Sequence, residues 1–165
     1  MAKPTKYAGL ICTIMTLIAF IGIIIGILIS KPIIIAACLF PAVVYEVYRT
    51  EGDSTRWASW ILLIAIILEI IFIIFNISFD LGKFIGESEK IVAGYSVPLG
   101  DIKIVGPALM AVLSIILFAR TRGRYTKWLA VIIFITCFAI VYSLSPDIFS
   151  NLLKIGVDEG LSRLN

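Results

Sequence analysis

Glu69 and Asn76 are the residues of this chain whose type and position call most directly for chemistry. Both lie in Trp57–Phe79, WASWILLIAIILEIIFIIFNISF, a run with no other charged or amide side chain. About 20 apolar helical residues cross a ~30 Å hydrocarbon core, so this run is long enough to span with some tilt. Trp57 and Trp60 mark one interface, where amphipathic indoles prefer to sit. That frame sets Glu69 near the bilayer midplane, where a carboxylate costs about 2.5–3.5 kcal/mol on insertion scales. Such a side chain must be neutral, paired or turned to a wet interior. At 100° per residue Asn76 falls about 20° from Glu69, two turns on. The two polar groups then share one face, directed at other helices and away from lipid. The chemistry this suggests is a proton- or ion-binding carboxylate oriented by Asn76. The structural alternative is a protonated Glu hydrogen-bonded to a neighbouring helix, where such bonds average ~0.6 kcal/mol. No Lys or Arg lies at matching depth elsewhere, so an ion pair inside one copy is not expected. Thr136 and Cys137, mid-way along the last apolar segment, are the nearest candidates to meet Glu69.

Other chemistries lack their residues. The chain has no histidine, which removes His-ligated haem, most zinc sites and imidazole catalysis. Cys12, Cys38 and Cys137 all sit inside apolar segments without a CxxC spacing, as buried, inert thiols do. No Walker loop, dinucleotide fingerprint or nucleophile elbow occurs. The expectation is therefore no catalytic residue, no metal and no cofactor, although a lipid or quinone, which needs no His ligand, stays compatible. Leu99-Gly100-Asp101-Ile102-Lys103 and Tyr45-Glu46 resemble the Gly-Asp and Tyr-Asp pair of the GxGD aspartyl intramembrane proteases, in which two facing aspartates activate a water. Here Pro98 replaces the first motif glycine and the second acid is a Glu. The expected topology also separates Glu46 from Asp101, so Asp101 reads as a loop or helix-start residue.

These side chains must be positioned by helices. Of 165 residues, 61% are hydrophobic and 15% charged, against nearly 25% charged in a soluble domain. The expected fold is a single all-α membrane domain, a five-helix transmembrane bundle, with four spans as the alternative. The spans run about 8–30, 32–48, 57–79, 104–119 and 128–144. The first is too long for a signal-peptide core. It carries Gly22 and Gly26 four residues apart, with Ser30 a turn on, a small-residue stripe that lets another helix approach closely. The stripe fits a helix of the same chain or of a second copy. Lys31-Pro32 makes a tight turn, and Pro41 should kink the second span. That span ends Tyr45-Glu46-Val47-Tyr48-Arg49, with Glu46 expected to pair with Arg49 at headgroup depth. Ser54 or Thr55 is expected to cap the third helix. Between the third and fourth spans, Lys90–Tyr95 and Asp101–Val105 could pair as a small hairpin, and 80–86 could continue as an interfacial turn. Ala108, Ala111 and Ser114 give the fourth span its small-residue face, with Pro107 in its first turn. Residues 146–164 pattern as an amphipathic surface helix, weakened by Gly156 and Gly160.

Charge sets the expected orientation. With five spans, Lys3, Lys6, Arg49, Arg56, Arg120, Arg122, Arg124 and Lys127 fall on one side in short segments. By the positive-inside rule the N-terminus is cytoplasmic and the C-terminus lies on the outer side. The dense group Arg120, Arg122, Arg124 and Lys127, expected as a tight loop, is first a topology determinant and second a contact for anionic headgroups or an acidic partner. Nucleic acid is not an expected partner. The function expected is a non-catalytic subunit or scaffold of a larger or self-assembled membrane complex. Its alternative is a small channel or a proton- or cation-coupled transporter built on Glu69.

Overall fold

The computed structural model describes residues 6–50, 52–77, 90–92, 95–97 and 102–146. Five helices follow one another: α1 (Ala8–Leu28), α2 (Pro32–Arg49), α3 (Asp53–Ile74), α4 (Ile102–Arg120) and α5 (Arg124–Leu144). Each is long and apolar enough to cross a membrane, Pro32–Arg49 included. They pack as a ring: α1 on α2, α2 on α3, α3 on α4, α4 on α5 and α5 back on α1, with α2 also touching α5 across the middle. The core is a column of Ile35, Leu39, Leu62, Ile66, Met110, Leu117, Leu129, Ile133 and Ile140, all fully buried. The outward faces carry Leu17, Phe20, Ile64, Ile71, Val112, Ile115 and Ile135, all exposed.

Local chemistry explains the ends. α1 stops in a Schellman motif: the Lys31 N–H donates to the Gly26 carbonyl (2.9 Å) and the Ser30 N–H to that of Ile27 (3.1 Å). Ser30 takes the left-handed conformation this requires, φ +54°. It is exposed at the turn, one residue past the C-cap Ile29, so it does not continue the helical face of Gly22 and Gly26. A left-handed residue other than glycine is strained by about 1–2 kcal/mol. Ser30→Gly should therefore raise the unfolding free energy by about 1 kcal/mol, measured by denaturant titration in detergent. Lys31 is extended because Pro32 follows it, and Pro32 opens α2 at its first turn.

α3 begins behind Gly52, whose φ of +142° suits glycine. The N-cap is Gly52 and not Ser54 or Thr55 as expected, since both lie inside the helix, and the Thr55 hydroxyl donates to the Gly52 carbonyl at 3.1 Å. At its far end α3 stops at Ile74, five residues short of the expected 79. A second Schellman motif closes it: Ile77 N–H to the Phe72 carbonyl (3.0 Å) and Asn76 N–H to that of Ile73 (3.3 Å), with Asn76 at φ +48°.

Three further expectations change. The basic loop is shorter than expected, because 121–123 alone separate α4 from α5, and Arg124 and Lys127 already belong to α5. A hairpin does form, but its strands are β1 (Lys90–Val92) and β2 (Tyr95–Val97), antiparallel with Ile91 opposite Ser96. Residues 102–105, expected as its second strand, begin α4, which puts Pro107 inside that helix and beyond its first turn. The expected interfacial turn at 80–86, Asp101, and all but the first residue of the amphipathic helix at 146–164 lie outside the described residues.

Candidate functional site

α3 turns one stripe inward, Thr55, Ser59, Leu62, Ile66 and Glu69, at the three- and four-residue spacing of a helix face. Glu69 is the last of the stripe and is 1% exposed. Burial is thus where the sequence puts it. The apolar part of α3 is Thr55–Ile74, whose centre falls between Ile64 and Ala65. Glu69 lies about 7 Å beyond that centre, toward the C-terminal end of the helix.

The space for its carboxyl comes from Gly106 on α4. A Cβ built there would collide with Glu69 Oε2 and lie 3.2 Å from Glu69 Cδ. No side chain at 106 is compatible with the carboxyl where it stands. Cys137 of α5, fully enclosed, is near enough that the charge of Glu69 bears on it. The contact at this carboxyl is between α3 and α4.

Of the two residues expected to serve Glu69, neither is shown doing so. Asn76 is not on the helical face two turns along; it lies past the end of α3, exposed, and its Oδ1 accepts a 2.6 Å hydrogen bond from Lys103 Nζ at the start of α4. It links two helix ends at the rim. Thr136 is fully buried beside Cys137, but its hydroxyl donates to the Ile132 carbonyl of its own helix at 2.7 Å.

The other buried acid, Glu46, is 0% exposed. Its expected pairing with Arg49 is replaced by two separate arrangements. The Arg49 guanidinium stands 5.0 Å from the centroid of the Tyr125 ring, a cation–π contact between α2 and α5. Glu46 Oε1 instead accepts from the Thr50 hydroxyl at 3.1 Å, and that hydroxyl is 2.9 Å from Ser59 Oγ on α3. Glu46 sits at the end of the bundle where α2 hands over to α3, about 15 Å along α3 from Glu69 if measured from Ser59. The start of α4 is at the opposite end, beside Asn76. The two fragments that resemble the intramembrane protease pair are thus separated by most of a helix length, and no facing dyad can form from Glu46 and the start of α4.

The packing residues divide. Gly22 and Gly26 are buried against α2 of the same chain: a Cβ at 22 would collide with Cys38, and one at 26 with Ile35. Ala111 is half-buried and Ser114 buried, its hydroxyl donating to the Ala111 carbonyl at 2.7 Å. Ala108 is exposed. Ser114 also lines an apolar groove of about 210 Å³ between α4 and α5, with Phe118, Ala130 and Phe134. Arg120, Arg122 and Arg124 are exposed around the α4–α5 turn, and Lys127 Nζ lies 5.4 Å from the Phe118 ring centroid.

Sequence inspection missed Gly106. Its signal was available as a glycine inside an apolar helical pattern, which often marks close approach of another group. Among the described residues no three His, Cys, Asp or Glu side chains cluster as metal ligands would. No protein-family model, curated protein or solved structure matches the chain.

Proposed function

We propose that this chain is a small multi-pass integral membrane protein in which Glu69 binds a proton or a monovalent cation during transport across the bilayer. The membrane reading is supported by five long apolar helices with large aliphatic and aromatic side chains on their outer faces. Lipid is the solvent that such a surface fits. The observation that carries the transport reading is the placement of Glu69: buried between helices, opposite a glycine whose missing side chain makes room for its carboxyl. A group so placed takes up a proton or cation and releases it when the helices around it shift. Flux in proteoliposomes tests this. Glu69→Gln, which keeps the shape and removes the ionisable group, should lower proton or cation flux to that of empty vesicles. An unchanged rate rejects the proposal.

Orientation with the N-terminus in the cytoplasm and the C-terminus outside follows from the basic residues at Arg49, Arg56 and Arg120–Lys127. In that orientation Arg120, Arg122, Arg124 and Lys127 meet anionic headgroups of the inner leaflet.

A second reading, a non-catalytic subunit of a larger membrane assembly, is favoured by the open apolar groove between α4 and α5. A helix of a partner subunit is its natural occupant. Self-assembly through Gly22 and Gly26 loses its support, because both glycines are occupied within the chain. Native mass spectrometry from bilayer discs separates the two: a bare monomer with flux favours transport, a constant partner without flux favours the subunit.

A further inference from the structure

The acid at the other end of the bundle has an arrangement of its own. Glu46 Oε1, Thr50 Oγ1, Ser59 Oγ and the Thr55 carbonyl form a line with gaps of 3.1, 2.9 and 3.2 Å, and Thr50 Oγ1 also stands 2.8 Å from the Glu46 carbonyl. Four hydrogen-bond gaps therefore share the protons of two hydroxyls. With Glu46 ionised, Ser59 donates to Thr50 and Thr50 to the Glu46 side chain or carbonyl, and the Thr55 carbonyl receives nothing from Ser59. With a proton on Oε1, Glu46 donates to Thr50, Thr50 to Ser59 or to the Glu46 carbonyl, and Ser59 to Thr55, so one more gap is filled. Glu46 Oε2 is buried and, among the described residues, has no hydrogen-bond partner. An oxygen in that position is tolerable as the carbonyl of a neutral acid and costly as half of a carboxylate. Among the described residues, the charge that acts on Glu46 is that of Arg49 on its own helix, and Glu46 in turn acts on Cys12 of α1. α3 faces it with the Ser59 hydroxyl, and the Arg49 guanidinium also stands over the Tyr125 ring of α5.

We propose that Glu46, with Thr50 and Ser59, is a second proton-binding site, at the end of the bundle where α2 passes to α3. Uptake of one proton from water makes one O–H bond at Glu46 Oε1 and breaks none in the protein; the two hydroxyls reverse their donation, and release reverses them again. The ligand is a proton, because the 2.9 and 3.1 Å gaps are hydrogen-bond distances and, among the described residues, no three His, Cys, Asp or Glu side chains cluster to hold a metal ion. The proposal does not depend on Glu69.

Infrared difference spectroscopy of the full chain in bilayers, recorded against pH, tests it. The expected result is a protonated-carboxyl C=O band that appears on acidification and disappears on alkalinisation. It should be lost in Glu46→Gln and retained in Glu69→Gln, which keeps this site separable from the transport site. In Thr50→Val the acid loses its acceptor, and the band should move to higher wavenumber; this variant carries the test if Glu46→Gln does not fold. A band that ignores pH, or that Thr50→Val leaves in place, overturns the proposal. A change at fixed pH that follows replacement of choline by sodium would mark a metal-ion site and overturn it equally.

Discussion

Gly106→Val should destabilise the bundle, and removing the Glu69 side chain should restore it. A Cβ at position 106 lands on the Glu69 carboxyl, and valine adds two methyl groups beyond it. Overpacking of this kind costs about 1–3 kcal/mol. The helix itself prefers valine to glycine slightly, so a loss of stability would come from the contact and not from propensity. Glu69→Ala in the same chain opens the space that the new methyls need. The double variant should be more stable than the sum of the two singles by about 1–3 kcal/mol, the coupling expected of side chains in contact. Unfolding by increasing SDS in mixed micelles measures all four corners of the cycle. Simple additivity would mean that Glu69 does not lie against α4. In the transport assay Gly106→Val should also lower flux, because the displaced carboxyl no longer occupies its place between α3 and α4.

The second large effect is expected at Gly26. A Cβ there collides with the Ile35 side chain and comes to 3.3 Å from the Lys31 carbonyl. Gly26→Leu should therefore push α1 off α2 and cost about 3 kcal/mol, at the upper end for overpacking. Ile35→Ala, which alone opens a cavity, should recover part of that loss when combined with a smaller Gly26→Ala change. The readout separates two roles for the glycine stripe. A contact within the chain changes stability and leaves the oligomeric state unaltered. A contact between copies would change the oligomeric state, seen by native mass spectrometry, and leave the unfolding of a monomer unaffected.

How much was legible beforehand can be seen residue by residue. The five helices follow from apolar length alone, and the burial of Glu69 follows from the cost of a carboxylate in an apolar run. Where α3 ends does not follow, because apolar residues continue past Ile74 while the helix does not. A left-handed Asn76 ends it, and hydropathy is blind to that. The same motif at Ser30 ends α1, so a small residue at the right spacing stands past the helical face. Glu46 has a charged neighbour three residues on, which made a rim ion pair the simplest expectation. Tertiary structure decided otherwise: Tyr125, distant in sequence, takes Arg49, and Ser59 completes the hydroxyl line to Glu46. Such partners come from packing α2 against α3 and α5, and no spacing within one segment encodes them. Gly106 belongs to the same class, since its role is defined by a carboxyl on another helix.

The central claim is that the Glu69 carboxyl is sealed inside the bundle against Gly106. Solid-state NMR in lipid bilayers can address it with the carboxyl carbon of glutamate labelled, the Glu69 signal being assigned by its loss in Glu69→Gln. The predicted result is a through-space cross-peak between that carbon and the Gly106 α-protons, with a shift of the signal in Gly106→Ala. Cross-peaks to lipid acyl-chain protons, with none to Gly106, would contradict it.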